Sequence, residues 1–203
     1  MEQKKRARRT LKDIEYYPTP AEIYNVIMVS KGWPYKSNRE FYLKRDRALI
    51  SLLYLLALRI SEALRLKRSQ FLFPEQTGQK DKIIVRAIEL SKSRRKGKDR
   101  KDQYRQENWL PLTGPRAPLT KLAVEYLHEL KSDQRLFPFN RARAWQIVRA
   151  MTSATCHWFR AYGEDFLYSQ WDKDLLAVSD YVKVDPRTLS QYIRKRYEKY
   201  SAV

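Results

Sequence analysis

The chain of 203 residues contains a single cysteine, Cys156, and few long apolar segments. One cysteine excludes an internal disulfide bond and any zinc site built from several cysteines. The longest apolar segment, Leu49–Leu58, is interrupted by Ser51 and is far shorter than the roughly 18–20 residues of a membrane-spanning helix. The N-terminal residues are charged and lack the apolar stretch of a secretory signal. These absences predict a protein without disulfide bonds, secretory signal or membrane span.

Acidic residues are also scarce, with 23 Asp and Glu against 42 Lys and Arg, and the formal charge is +19. Apolar residues make up 43% of the chain, which is enough for a folded core and excludes a disordered basic tail. A charge of this size on one small domain predicts a polyanionic partner, with nucleic acid as the first candidate and an anionic membrane as the second. A membrane binder needs a helix with one apolar and one basic face. Here the basic residues are clustered in two segments of the sequence and not along one face of an apolar helix, which favours nucleic acid over a membrane as the partner.

The basic residues are densest in two segments. Residues 1–15 form a predicted basic arm, and a second run forms the tip of a predicted β-hairpin. We expect both to contact nucleic-acid phosphates. The expected nucleic-acid-binding residues are Lys4, Lys5, Arg6, Arg8 and Arg9 in the arm, and Arg94, Arg95, Lys96, Lys98, Arg100 and Lys101 in the hairpin tip.

The remaining pattern predicts an α+β fold, mostly helical with a small antiparallel β-hairpin or sheet. Thr19, Pro20 and Glu22 are typical of a helix start. A second helix, apolar on nearly all sides and therefore buried, is predicted from about Tyr42 to Leu66. Two segments rich in strand-forming residues, Lys82–Leu90 and Glu107–Thr113, predict the hairpin. Further helices are predicted near 120–131, 141–151, 156–168, 173–179 and 186–200.

Charged and nucleophilic side chains interrupt this pattern at three places. Arg59 lies within the apolar helix pattern, near the end of the predicted helix, where it forms either a structural ion pair with Glu62 or a fork for a phosphate group. His157 and Arg160 are three residues apart and share one helix face, so both can contact one phosphoryl group unless they are ordinary surface residues. Tyr192 lies on a helix that Asp185 and Pro186 begin, although packing is the commoner role of a tyrosine.

Taken in order, these motifs resemble the tyrosine recombinase, or phage integrase, family. ALRISEALRL resembles the family's first-arginine box, with Ala57 in place of its glycine, and the hairpin resembles the one that carries a catalytic lysine. TCHWFRAYG resembles the HxLRH box, with Phe159 for Leu and Ala161 for the second His. DPRTLSQYI resembles the segment that carries the nucleophile. The resemblance extends over about residues 18–200.

The resemblance implies a catalytic domain at 16–203 that cleaves DNA strands through a 3′-phosphotyrosyl link, without a metal or a nucleotide cofactor. Tyr192 is the implied nucleophile, with Tyr197 and Tyr200 as rivals. The implied general acid is Lys92, with Lys96 and Lys98 as substitutes. At a position where the family usually has His or Trp, this chain has Lys183. The implied catalytic set is therefore Arg59, Lys92, His157, Arg160, Lys183 and Tyr192.

Members of that family usually carry a separate helical domain before the catalytic one, and this sequence shows none, so it is either a catalytic domain alone or a minimal enzyme. We expect a site-specific recombinase or integrase of a mobile element or virus. It would act on double-stranded DNA in the cytoplasm or nucleoid, as a monomer in solution that can form a tetramer on DNA. The alternatives are a type IB topoisomerase-like relaxing enzyme and a non-catalytic DNA-binding protein.

Overall fold

The computed structural model describes residues 16–90, 104–190 and 193, with side chains in the last strand described from Glu107 onward. No helix in these ranges is long and apolar enough to cross a membrane. The helices are α1 (Pro20–Val29), α2 (Arg39–Leu55), α3 (Ile60–Ala63), α4 (Pro74–Thr77), α5 (Ala117–Leu127), α6 (Arg141–Thr152), α7 (Cys156–Gln170) and α8 (Leu175–Val182), followed by a helical segment at 186–190. The strands are β1 (Phe71–Leu72), β2 (Lys82–Glu89) and β3 (Tyr104–Pro111).

The first helix begins where the sequence predicts. The Thr19 hydroxyl accepts a hydrogen bond from the Glu22 backbone amide at 3.3 Å, and the Thr19 amide donates to the Glu22 carboxylate at 2.7 Å. This reciprocal pair satisfies two amides at a helix end that have no partner within the helix. The Pro20 ring occupies the first helical position, where a missing N–H costs nothing. The local prediction is confirmed.

The second helix ends earlier than its apolar pattern predicts. It stops at Leu55, and Arg59 is not part of it but precedes the short helix α3. The chain leaves the helix through Ala57, whose φ of 46° is left-handed, a conformation that costs a residue with a Cβ about 1 kcal/mol or more. The prediction of one continuous helix through Leu66 is therefore wrong. The break turns the chain so that Arg59 begins a new element.

The three strands form one antiparallel sheet in the order β1-β2-β3. β2 and β3 pair from Lys82 opposite Pro111 to Glu89 opposite Tyr104, with an interruption at Ala87, whose φ is 51°. This confirms the predicted hairpin, although β3 begins at Tyr104, three residues earlier than predicted, and ends at Pro111. β1 pairs with β2 through Phe71 and Leu72 and was not predicted, because two residues carry no alternation pattern. The hairpin tip at 91–103 lies outside the described residues.

The buried side chains form two clusters. The larger one surrounds α2, which packs against α5 and α7. The smaller one joins α8 and the segment after it, through Val182 and Leu189, to Ala57 at the end of α2. A close crossing brings α7 onto the end of α2, because a Cβ placed at Gly163 would lie 2.1 Å from the carbonyl oxygen of Tyr54. This crossing fixes where the side chains of α7 lie relative to Arg59.

Candidate active site

Two arginines from distant parts of the sequence meet at one buried carboxylate. Glu62 is fully buried, and its Oε1 accepts a hydrogen bond from Arg59 Nη1 at 2.8 Å. Its Oε2 lies 3.5 Å from Arg160 Nη1. A buried carboxylate is stable only when it is paired and hydrogen-bonded, and here both guanidinium groups share it. The two positive groups that the sequence predicts are therefore held on either side of one anion.

Arg59 is placed by the turn at the start of α3. Its backbone is extended, with φ −70° and ψ 147°, and its amide donates to Glu62 Oε2 at 2.8 Å. The Arg59 side chain is 29% exposed, although its partner is fully buried. Both interpretations made from the sequence therefore apply to this residue. It forms the ion pair with Glu62, and part of its guanidinium group still faces solvent, where it can meet an anion.

Arg160 is more deeply placed, and its side chain is only 3% exposed. Its Nε donates to Glu164 Oε1, one helical turn away on α7, at 2.7 Å. Its Nη2 is buried and has no hydrogen-bond partner among the described residues. An unpartnered buried donor costs free energy, so the site is incomplete without an acceptor. A phosphate oxygen is an acceptor of the right charge.

His157 stands one turn before Arg160 on α7, whose first turn is capped by the Thr155 hydroxyl. The residue is exposed to solvent, but protein surrounds its ring closely enough for desolvation to lower its pKa. The positive charges of Arg160 and then Arg59 lower it further. The three side chains are thus close enough to act on one another electrostatically. A lowered pKa favours the neutral imidazole, which can accept a proton.

Lys183 is the one further predicted catalytic residue within the described ranges. It ends α8 in a left-handed conformation, is exposed, and forms an ion pair with Asp180 on its own helix. Within the described ranges, the structure records no contact between Lys183 and the Arg59, His157 and Arg160 group. Its role in catalysis stays a prediction.

The other predicted site residues lie outside the described residues. These are Lys92, Tyr192, the arm residues Lys4, Lys5, Arg6, Arg8 and Arg9, and the hairpin residues Arg94, Arg95, Lys96, Lys98, Arg100 and Lys101.

The segment that leads to Tyr192 begins as the sequence predicts. The Asp185 side chain accepts a hydrogen bond from the Arg187 amide at 2.9 Å, and residues 186–190 are helical. Leu189 is buried in the smaller cluster, as is Ile193. The residues on both sides of the predicted nucleophile are therefore attached to the body of the protein.

The structure also shows a basic face on α6 that the sequence motifs do not predict. Arg141, Trp145 and Arg149 follow one another at helical spacing, and the Arg149 guanidinium lies 5.3 Å from the Trp145 ring. Trp145 is 46% exposed, which is unusual for so large an apolar side chain. The sequence signal was present, since α6 contains no acidic residue.

A groove of about 540 Å³ lies between the start of α6 and α3. Arg65, Arg135 and Arg141 line it, together with Ser61 of α3. Because Arg59 and Glu62 flank Ser61 in the chain, the groove adjoins the arginine pair. A cationic groove next to a cationic site is a suitable path for the backbone of a nucleic acid.

No protein-family model matches this chain, and no curated protein matches it. Solved structures of similar fold include the XerH site-specific recombinase bound to difH substrate in a pre-cleavage complex, with TM-score 0.62 and 20% identity over 92% of this chain and 52% of that one. A post-cleavage complex of XerH with palindromic difH gives TM-score 0.63 and 19% identity over 93% and 54%. The chain thus spans about half the length of these structures. The predicted α+β, tyrosine recombinase-like fold is confirmed.

Proposed function

We propose that this chain is a DNA strand transferase of the tyrosine-recombinase type, which cleaves and rejoins DNA through a 3′-phosphotyrosyl intermediate. The observation that carries the proposal is the convergence of Arg59 and Arg160 on Glu62, with one arginine donor left unpartnered among the described residues and His157 close enough to both arginines for their charges to lower its pKa. Two guanidinium groups at one point suit the non-bridging oxygens of a phosphodiester, which gain negative charge in the transition state. Both similar structures are DNA complexes of a recombinase, which supports the same partner here.

The reaction proposed for these residues needs no external energy source. The phenolic oxygen of Tyr192 forms a bond to phosphorus while the bond between phosphorus and the 5′ oxygen breaks. The proton of the phenol passes to neutral His157 or to solvent, and the 5′ oxygen receives a proton from Lys92 or from one of its neighbours Lys96 and Lys98. Rejoining is the reverse of these steps. Arg59 and Arg160 stabilise the charge in both directions.

The α6 face and its groove supply the proposed DNA path. Arg135 and Arg141 carry positive charge in the groove, and each phosphate that they neutralise would steepen the salt dependence of binding by about 0.9 in log–log slope. The double variant Arg135→Ala/Arg141→Ala should bind DNA more weakly and with a shallower slope. Lys44→Ala is a matched control, because Lys44 is already paired with Glu129 at 2.8 Å. Equal salt slopes in both variants would contradict this path.

The decisive experiment uses a nicked suicide DNA substrate, on which cleavage traps the covalent adduct. The wild-type chain should form a protein–DNA adduct that survives denaturation, and Tyr192→Phe should form none while it still binds DNA. Tyr197→Phe and Tyr200→Phe serve as controls for the rival nucleophiles. Absence of any adduct with wild-type protein would leave the alternative of a non-catalytic DNA-binding protein.

The closest enzymatic alternative, a type IB topoisomerase-like enzyme, would use the same residues. Relaxation of supercoiled plasmid without recombinant products would favour it over a recombinase. The monomer in solution, the tetramer on DNA, the action inside the cell and the origin in a mobile element or virus are parts of the same proposal, to be tested separately.

A further inference from the structure

Three aromatic side chains join the sheet to the C-terminal part of the chain. Trp109 lies on β3, Trp171 caps the end of α7, and Tyr181 lies on α8; we refer to these three as the aromatic clasp. Ring centroids are 5.0 Å apart between Trp109 and Tyr181, and 5.2 Å between Trp171 and Tyr181, both in edge-to-face arrangement. Trp109 and Trp171 are 6.0 Å apart. Such aromatic pairs stabilise a fold by more than the burial of their apolar area alone.

Polar contacts continue the clasp along the outer edge of β3. The Tyr181 hydroxyl accepts from the Trp109 amide at 3.4 Å and lies 3.5 Å from the Trp109 carbonyl oxygen, to which it donates. Asn108 Nδ2 lies 3.5 Å from the Tyr181 carbonyl oxygen. These are long hydrogen bonds and each is weak. They nevertheless occupy backbone groups of a strand that has no neighbouring strand on this side in the described sheet.

The clasp holds a part of the protein that has little other attachment. α8 packs on α7 and on β3, and its buried residues belong to the smaller cluster rather than to the core around α2. β3, in contrast, is paired with β2 at seven of its eight residues. If the clasp is loosened, the element that gains freedom is therefore α8. Leu189 of the helical segment 186–190 belongs to the same cluster, as does Ile193, so both would move with α8.

We infer that Trp109 and Tyr181 are positioning residues for the nucleophile, acting through α8 on the segment that carries Tyr192. This inference rests on the proposed function. It adds two residues that would affect the rate of cleavage without belonging to the arginine pair. Tyr192 stands between Ser190 and Ile193 in the chain, so the placement of its flanking residues limits where it can go. A displacement of about 1 Å of a reacting group can lower a rate by about 100-fold.

The first test compares single-turnover adduct formation at saturating DNA. Trp109→Leu should slow adduct formation by about 10- to 100-fold with unchanged DNA affinity, and Trp109→Phe, which keeps a ring, should recover most of the rate. Tyr181→Phe should slow it several-fold. Tyr126→Phe is the matched control: its hydroxyl donates to the Leu136 carbonyl oxygen at 2.6 Å, so the variant removes a shorter bond in the larger cluster, to which none of the three clasp residues belongs. A control as slow as Tyr181→Phe would overturn the inference.

The second test does not depend on activity. In the full chain, Trp109→Leu and Tyr181→Phe should speed hydrogen exchange of the backbone amides of α8 and of 186–190, while exchange in α2 and α5 stays as in wild type. Unchanged exchange in α8 would overturn the inference. If Trp109→Leu does not fold, Tyr181→Phe and Trp109→Phe still give both measurements.

A third test separates the nucleophile from the general acid. A substrate with sulfur in place of the bridging 5′ oxygen has a leaving group that needs no proton, so it restores variants that are defective only in the acid. Trp109→Leu should stay slow on this substrate. Full restoration would mean that the clasp acts on the hairpin lysine, and the inference would be wrong. Wild-type protein that forms no adduct would defeat the proposed function and, with it, the catalytic role of the clasp. Unchanged hydrogen exchange in α8, in contrast, would overturn the clasp inference and leave the proposed function standing.

Discussion

Arg160 Nη1 lies 3.5 Å from the Oε2 atom of Glu62, a residue 98 positions earlier in the sequence. The same carboxylate binds the amide and the guanidinium group of Arg59. Two guanidinium groups repel one another, and the shared buried anion offsets that repulsion. Glu62 is therefore the residue that brings the two predicted phosphate-binding arginines into one site.

Glu62→Gln should destabilise the fold and slow the chemistry together. The variant keeps the shape of the side chain but leaves two arginines without their shared charge, and loss of one partner from a buried pair costs about 3–5 kcal/mol. Urea unfolding measures the stability, and the suicide substrate measures the rate. Glu129→Gln is a matched control, since its pair with Lys44 also measures 2.8 Å but is half-exposed and should contribute less than about 1 kcal/mol. Equal costs for the two variants would contradict the role of Glu62.

The pKa of His157 can be measured without ambiguity, because the chain has only one other histidine, His128. In His128→Asn, the single histidine signal in NMR should titrate below the ordinary value of about 6.5. Desolvation is the larger cause of the lowered pKa, and the arginine charges, which salt can screen, are the smaller one. Added salt should therefore raise the pKa of His157 only part of the way to its ordinary value. A titration at or above pH 6.5 would contradict the environment that the structure gives His157.

The same shift sets the pH dependence of stability. Between the ordinary and the lowered pKa, the unfolded chain binds the proton of His157 and the folded chain does not. The contribution of His157 is therefore constant above about pH 6.5 and falls as the pH decreases through that window, down to the folded-state pKa. Comparison of His128→Asn with His128→Asn/His157→Asn in urea unfolding across this range isolates the effect. If the free energy of unfolding depended on pH identically in the two variants, this prediction would be contradicted.

The assignment of the general acid to Lys92 has its own test. Lys92→Ala should form adduct slowly on ordinary DNA, because the 5′ alkoxide leaves without a proton. A bridging 5′ sulfur, whose thiol has a pKa near that of cysteine at about 8.5, should restore the rate. Lys96→Ala and Lys98→Ala are parallel variants from the same basic segment of the sequence. The general acid is the lysine whose alanine variant regains its rate of adduct formation on the 5′-sulfur substrate. If only Lys96→Ala or Lys98→Ala regained its rate, that lysine would be the general acid and the prediction for Lys92 would be wrong.

Gly163→Ala should be strongly destabilising. The added methyl group would meet the Tyr54 carbonyl oxygen at 2.1 Å, so that α7 must move away from the end of α2, at a cost of about 3 kcal/mol or more. Gly114→Ala is the control: its φ of 75° gives backbone strain, but nothing lies within 4 Å of the new methyl group, and we expect a loss of about 1 kcal/mol. Thermal unfolding measures the stability of both variants. Similar losses of stability would contradict the prediction, because they would show that α7 can move away from α2 at little cost.

Much of the fold follows from local signals. The helix start at Thr19 and the start at Asp185 depend on side chains within three residues of the backbone amides that they cap. The hairpin strands follow from their β-branched residues. The end of α2 could not be predicted, because the apolar pattern continues through Leu58 and the turn is made by Ala57 rather than by a glycine or a proline.

The candidate site was predicted in its residue types but not in its geometry. The sequence suggested Arg59, His157 and Arg160 separately, and it paired Glu62 only with Arg59. That Glu62 also meets Arg160 depends on how α7 crosses α2, which no local pattern encodes. The α6 face carries a weaker sequence signal, because Arg141 and Arg149 are eight positions apart with Trp145 midway and do not form a contiguous basic run.

Ala57 has a further consequence, because it sits where the two buried clusters meet. Its neighbours Leu56 and Leu58 belong to the larger cluster, whereas Ala57 itself packs with Val178 and Leu189 in the smaller one. The smaller cluster buries much less apolar surface and is held together by less free energy. On warming, it should open first, so that heat inactivation precedes the loss of helical circular dichroism. Such inactivation would reverse on cooling, because the part of the protein around the larger cluster remains folded and α8 with the segment after it can pack against it again.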